Sequence, residues 1–176
     1  MPPNSNNQPL WAEVLPLFGW LLVITDPGRD QDDEDVLTQL NRYVRLGNLS
    51  VLGVVANLAP SLQRGRLARG TLNMLLPGHG IEVGAGSSCQ QPDDDGLNYQ
   101  FDAEYLAHED DIVSGPELIE RKLREARPRT VVLLLLSGMT DAAGRKIQAT
   151  TRAHRLVVRH DVSLDVPVAM VGGAHS

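Results

Sequence analysis

Short apolar runs that end in turn-forming residues set the strongest limit on how this chain can fold. Leu21–Ile24 is an unbroken apolar run followed by Thr-Asp-Pro-Gly, and Val131–Leu136 is a longer unbroken run. A continuous apolar run of this length predicts a strand that is buried on both faces of a sheet. Weaker runs of the same kind predict further strands at residues 51–55, 81–83 and 166–171.

The segments between these runs carry apolar residues at helical spacing. We predict helices from Asp32 or Asp33 to just before Gly47, from a Ser61 cap to Leu76, from a Ser114 cap to Ala126, and from Asp141 to Thr151. Strands that alternate with helices predict right-handed crossovers, and so an α/β fold: a Rossmann-like, mostly parallel sheet with flanking helices. Residues 1–19 are predicted to be a polar, irregular tail, residues 20–176 one domain, and residues 84–113 an irregular excursion within it.

Composition excludes several classes of partner. The chain has 16 Lys+Arg against 22 Asp+Glu, a formal charge of −6, and only 4% aromatic residues. Nucleic-acid binding needs a basic face and stacking rings, so nucleic acid is not an expected partner. Trp11–Ile24 is the longest approach to a membrane span, but Glu13, Pro16 and Gly19 interrupt it, so no membrane partner is expected either.

Two other residue patterns bear on compartment and surface. The single cysteine, Cys89, excludes an internal disulfide and favours a reducing compartment such as the cytoplasm. The basic stretch Arg64, Arg66 and Arg69 is predicted to be the solvent face of its helix. The sequence leaves a homo-oligomer open.

The loop after the first predicted strand holds much of the acidic charge. Five of the six residues from Asp30 to Asp35 are acidic, and Asp26 stands just before them. Pro27 and Gly28 favour a tight turn, which would bring the later carboxylates back towards Asp26. Crowded carboxylates need a cation or strong donors, and oxygen ligands select a hard ion such as Ca²⁺ or Mg²⁺. The alternative is a solvated, acidic helix start without any ligand.

An EF-hand loop does not explain these acids. Asp30, Asp32 and Glu34 have suggestive spacing, but Asp35 stands where that loop needs Gly, and Asn41 stands where it needs a bidentate Glu.

Four segments, each at the carboxyl end of a predicted strand, resemble the nucleoside hydrolase superfamily. Val23-Ile-Thr-Asp-Pro-Gly-Arg-Asp-Gln-Asp-Asp33 is similar to the family's amino-terminal signature of Asp-Pro-Gly followed by paired Asp. The other three follow in the expected order: Gly53-Val-Val-Ala-Asn57-Leu-Ala-Pro60, Leu136-Ser-Gly-Met-Thr-Asp141, and Met170-Val-Gly-Gly-Ala174.

The resemblance implies a Ca²⁺-dependent N-glycosidase that cleaves the bond between ribose and a nucleobase. By position, Asp26 would be a Ca²⁺ ligand and the base that takes a proton from water. Asp33 would be a second ligand, and Ser137 would supply a main-chain carbonyl. Asp32 would accept a hydrogen bond from a ribose hydroxyl, although the longer spacing of this loop leaves Asp30 as an alternative. Asn57 would support the loop or bind the sugar.

The resemblance spans Leu21 to Ala174, which is roughly the first half of the family's fold. It therefore implies a truncated, divergent member that is weakly active or inactive. Two alternatives stay open: a non-catalytic remnant that binds a ribosyl ligand or a partner chain, and an acidic Rossmann-like domain that binds no ion.

Overall fold

The structure is a computed structural model that describes residues 20–28, 31–47, 49–88, 103–127, 130–138, 140–143 and 155–158. The described strands are β1 (Trp20–Thr25), β2 (Ser50–Ala56), β3 (Glu82–Ala85), β4 (Ile112–Ser114), β5 (Val131–Leu135) and β6 (Arg155–Val158). The described α-helices are α1 (Asp32–Arg45), α2 (Ser61–Leu75), α3 (Gly115–Glu125) and α4 (Thr140–Ala143), and a 3₁₀ turn covers Glu109–Asp111.

The six strands form one sheet in the order β4-β3-β2-β1-β5-β6. Every neighbouring pair is parallel. The β1–β2 pairing contains one irregularity between Leu21 and Leu22, where the register shifts. This parallel sheet with flanking helices confirms the predicted α/β fold.

Alternate residues of β1 serve two separate cores. Leu21 and Val23 face a core that includes α1 and α2 residues, whereas Leu22 and Ile24 face a core built largely on α3. From β1 the chain steps outward through β2 and β3 to β4, and it then returns to the other side of β1 as β5. Because crossovers keep the right-handed sense, a reversal of direction places the later helix on the opposite face.

Two short strands depart from the sequence interpretation. β4 lies within and just beyond the segment that we expected to be irregular, and β6 lies where no strand was predicted. The polar tail of residues 1–19, the predicted strand at residues 166–171 and the Met-Val-Gly-Gly-Ala segment lie outside the described residues. Within the described ranges, no helix is long and apolar enough to cross a membrane.

The helices α2 and α3 begin within one residue of their predicted starts, but the serine side chains expected to cap them do not make capping hydrogen bonds. Ser114 is the N-cap residue of α3, as predicted, but its side chain makes no capping hydrogen bond. Pro60, not Ser61, is the N-cap of α2, and the Ser61 hydroxyl instead lies 2.8 Å from the Ser88 hydroxyl. The Ser61 cap was therefore wrong because a neighbouring loop competes for that hydroxyl group.

Candidate functional site

The sheet reverses its winding direction beside β1, and four exit loops meet at the carboxyl edge there. The Asn57 N–H donates to the Thr25 carbonyl at 2.9 Å, and the Leu136 N–H donates to the Ile24 carbonyl at 2.8 Å. On the far side of β2, the Gly86 N–H donates to the Ala56 carbonyl at 2.8 Å. Ligands of open α/β sheets bind at such a switch point, so this edge is the candidate site.

Asp33 is the most deeply placed carboxylate at this edge. It lies in the first turn of α1 and is only 4% exposed. Its Oδ1 accepts a hydrogen bond from the Thr25 hydroxyl and a longer one, 3.4 Å, from the Asp26 N–H. These bonds fold the start of α1 back onto the end of β1, as the Pro-Gly turn predicted.

Burial raises the pKa of Asp33 to about 7. Desolvation is the main cause, and the negative charges of Asp26 and Asp32 raise the pKa further. The hydrogen bonds from Thr25 and from the Asp26 N–H oppose the shift but do not cancel it. A carboxyl group in this state gains from any cation that stabilises its ionised form.

Asp26 and Asp32 are two further acidic residues close to Asp33. Both are half-buried, and both act electrostatically on Asp33. Among the described residues, the buried Oδ1 atom of Asp32 has no hydrogen-bond partner. An unpartnered buried carboxylate oxygen is costly, and a hard cation would satisfy it, so the donor chemistry of the cluster fits Ca²⁺.

The arrangement has limits as a metal site. Among the described residues, no group of three or more His, Cys, Asp or Glu side chains is arranged so that it could hold a metal ion. Asp30, the alternative contact to the sugar, lies outside the described residues. The assigned roles of Asp26, Asp32 and Asp33 therefore stay predictions, although Asp26 and Asp32 lie close enough to Asp33 to raise its pKa.

Asn57 joins the exit loops of β2 and β5. It is fully buried, its Nδ2 donates to the Gly138 carbonyl at 2.8 Å, and its Oδ1 accepts from the Ser137 hydroxyl. Both ends of the amide thus hold the loop after β5. Its contact to sugar, and the carbonyl-ligand role of Ser137, stay predictions.

Arg64 is a site residue that the sequence interpretation placed wrongly. It is 1% exposed, whereas we predicted it on the solvent face of α2. Arg66 and Arg69 are half-buried and bond to the carbonyls of Ala107 and Ile81. The missed signal is spacing, because the buried face of α2 includes positions 61, 64, 65, 67, 68 and 72.

Asp141 is another buried acidic residue, and the sequence interpretation assigned it no role at the site. It is 5% exposed, and its two carboxylate oxygens accept from the Ser87 N–H at 2.8 Å and the Ser87 hydroxyl at 2.9 Å. A Cβ at Gly86 would stand 2.7 Å from Asp141 Oδ2, which leaves no room for a side chain there. Asp141 therefore fixes the loop after β3 to the start of α4.

Comparison with known proteins gives structural likenesses only. A scan against protein-family models and a search of curated proteins each give no match. Among solved structures, the chain is similar to the effector protein XOO4466, with a TM-score of 0.68 and 22% identity over 84% of this chain and 46% of that one.

It is also similar to the type III effector protein XopQ complexed with adenosine diphosphate ribose, with a TM-score of 0.68 and 19% identity. That likeness covers 85% of this chain and 48% of XopQ. The chain thus spans about half the length of either protein. At these identities the likeness shows a shared fold: this chain has the parallel α/β architecture of the matched parts of both effectors.

Proposed function

We propose that this chain is a nucleoside-hydrolase-like domain that binds a ribosyl ligand at the carboxyl edge of β1, with Ca²⁺ as cofactor, and cleaves an N-glycosidic bond. The observation that carries the proposal is the buried Asp33 carboxyl group at the sheet's switch point, close to the charges of Asp26 and Asp32. Three of the four segments that resemble the family lie in described ranges apart from residues 29, 30 and 139. They follow β1, β2 and β5 at this edge of the sheet, and that placement supports the proposal.

In this proposal each site residue has its own role. Asp26, Asp33 and the Ser137 carbonyl would hold Ca²⁺, and Asp32 would accept a hydrogen bond from a ribose hydroxyl. When bound, Ca²⁺ supplies a positive charge that attracts hydroxyl and water oxygens and makes water more acidic. Asp26 would accept the proton of the attacking water as the water oxygen bonds to the anomeric carbon of the ribose. The C–N bond breaks, and the nucleobase leaves with the bonding electrons and takes a proton from solvent, while the ionised carboxylates would stabilise the positive charge that develops on the sugar.

A second candidate is binding without cleavage. XopQ was solved in complex with adenosine diphosphate ribose, a ribosyl ligand. That complex supports a ribosyl ligand for the shared fold whether or not a bond is cut. Among the described residues, no group of three or more His, Cys, Asp or Glu side chains could hold a metal ion. If Ca²⁺ does not bind, binding without cleavage is therefore favoured over the enzyme.

Thermal melting with and without millimolar Ca²⁺ tests the cofactor. Ca²⁺ should raise the melting temperature of the wild type, and Asp33→Ala or Asp32→Asn should abolish the increase. Asp35→Asn is the matched control, because Asp35 belongs to the same acidic run but is exposed. An unchanged wild-type melting curve would refute the Ca²⁺ proposal.

Calorimetric titration with adenosine diphosphate ribose and with inosine or uridine, followed by chromatographic detection of released base, separates the two candidates. Binding with base release identifies the hydrolase, and binding without release identifies the non-catalytic domain. If neither type of ligand binds to the wild type, both candidate functions are refuted.

A further inference from the structure

A buried arginine lies directly beneath the loops of the candidate site. Arg64 stands in the first turn of α2, and its side chain is almost completely enclosed. Burial of a cation is costly, and the positive end of the helix dipole adds to the cost in a first turn. Hydrogen bonds from the guanidinium group offset part of both costs.

Those bonds go to main-chain carbonyls in two different exit loops. Nη1 donates to the carbonyl of Pro27 at 2.9 Å and also to the carbonyl of Asp26, both in the loop after β1. Nε donates to the carbonyl of Ala59 at 3.3 Å, in the loop after β2. A planar, rigid group that bonds to both loops fixes the distance between them, which a flexible side chain would not do.

The backbone of Asp26 is consequently held on both sides. Its N–H donates to Asp33 Oδ1 at 3.4 Å, and its carbonyl accepts from Arg64. We propose that Arg64 is a positioning residue that sets the backbone of Asp26, and through it the carboxylates that face a bound cation and ribose. The part of this inference that concerns the cation rests on the proposed function.

The charge of Arg64 alone makes the opposite prediction. A positive charge beneath a cation site repels the cation, so its removal would strengthen Ca²⁺ binding if charge were the whole role. Positioning predicts weaker binding on removal, because the carboxylates lose their fixed arrangement. The sign of the change therefore separates the two roles.

The experiment compares Arg64→Met, Arg64→Lys and Arg66→Met by calorimetric titration with Ca²⁺. Arg66→Met is the control, because Arg66 also bonds to a main-chain carbonyl, that of Ala107 at 2.9 Å, from the same helix. We expect Arg64→Met to weaken binding by about tenfold. Arg64→Lys keeps the charge but loses the planar fork, so it should also bind less tightly than the wild type, and the control should match the wild type. Binding by Arg64→Met that equals or exceeds the wild type's would overturn the inference.

Hydrogen exchange of the ligand-free protein tests the same inference without any ligand. In Arg64→Lys the amides of Asp26 and Asn57 should exchange faster than in the wild type, while amides of Val83 and Leu133 should not change. Equal exchange at Asp26 would overturn the positioning role, even if Arg64→Met failed to fold. A wild type that binds neither Ca²⁺ nor adenosine diphosphate ribose would instead refute the proposed function and leave the exchange result to decide the role of Arg64.

Discussion

Replacement of Asp33 by Asn should remove a large part of the pH dependence of folding. The side chain is 4% exposed, and burial raises its pKa from 3.8 to about 7. An amide of the same shape cannot ionise but can still accept hydrogen bonds from the Thr25 hydroxyl and the Asp26 N–H. The substitution therefore isolates the cost of the buried charge.

The sign follows from the direction of the shift. Because the folded state holds the proton of Asp33 more tightly than the unfolded state, the contribution of Asp33 to the free energy of unfolding is greatest in acid and falls as the pH rises from 3.8 to about 7. The pKa difference of roughly three units corresponds to about 4 kcal/mol of unfolding free energy. Above neutral pH the loss is complete, and the wild type bears the whole cost of the ionised group.

Urea unfolding near pH 4.5 and near pH 8, in a chelator to remove Ca²⁺, measures this cost. The free energy of unfolding of Asp33→Asn minus that of the wild type should increase by about 3 to 4 kcal/mol between the two conditions. Asp35→Asn, at an exposed position of the same helix turn, should show little change. If Asp33→Asn kept the wild-type pH dependence, the assignment of a raised pKa to this carboxyl group would be refuted.

Ca²⁺ should reverse the effect in the wild type. A cation that binds the ionised carboxylate favours proton loss, so the increase in melting temperature with Ca²⁺ should be larger near pH 8 than near pH 5. An increase that is equal at both pH values would show that the bound cation does not contact Asp33.

Three further substitutions test contacts at the site and in the rest of the described fold. Glu82→Gln should lower the free energy of unfolding by less than about 1 kcal/mol, because the ion pairs of Glu82 with two basic residues of α3 are partly exposed. The pKa of Glu82 is lowered to about 2, so in urea unfolding the difference in free energy from the wild type should fade as the pH drops from 4.5 to 2. Gly70→Ala should destabilise by several kcal/mol in the same assay, since its Cβ would stand 2.1 Å from the Tyr105 carbonyl oxygen. Asp141→Ala should cost about 2 to 3 kcal/mol and increase hydrogen exchange at Ser87, and unchanged exchange there would contradict the bridge.

The sequence predicted those elements whose residues carry their own pattern. β1 is apolar up to Thr25 and β5 is apolar throughout, and neither is an edge strand of the described sheet. α1 begins at Asp32 and ends before Gly47, as its periodicity indicated. β4 and β6 contain only three and four residues. A strand that short is defined by its pairing with β3 or β5, which no local pattern shows.

The same distinction applies to the candidate site. Asp26 and Asp32 lie close enough to Asp33 to raise its pKa, and a local pattern could predict this proximity because all three are close in sequence. Their roles at a metal stay predictions. Arg64 bonds to carbonyls up to 38 residues away, and Asp141 bonds to Ser87 across 54 residues. An arginine or aspartate is normally exposed, and only partners from distant segments make its burial tolerable. Contacts of that range could not be inferred from one sequence.

Two opposing effects act on Asp33, and their sizes decide its state. Its place in the first turn of α1 favours the ionised form, but a helix terminus contributes only about 0.3 to 2 kcal/mol. Desolvation outweighs this, because the net shift to about 7 corresponds to about 4 kcal/mol even after two hydrogen bonds have opposed it. Asp26 and Asp32 add repulsion to the same carboxyl group. The folded chain therefore keeps a carboxyl group near half-protonation at neutral pH, at the edge where α/β sheets bind ligands. A site of this kind binds a cation only as it releases a proton, so its affinity for Ca²⁺ should rise with pH until Asp33 is fully ionised.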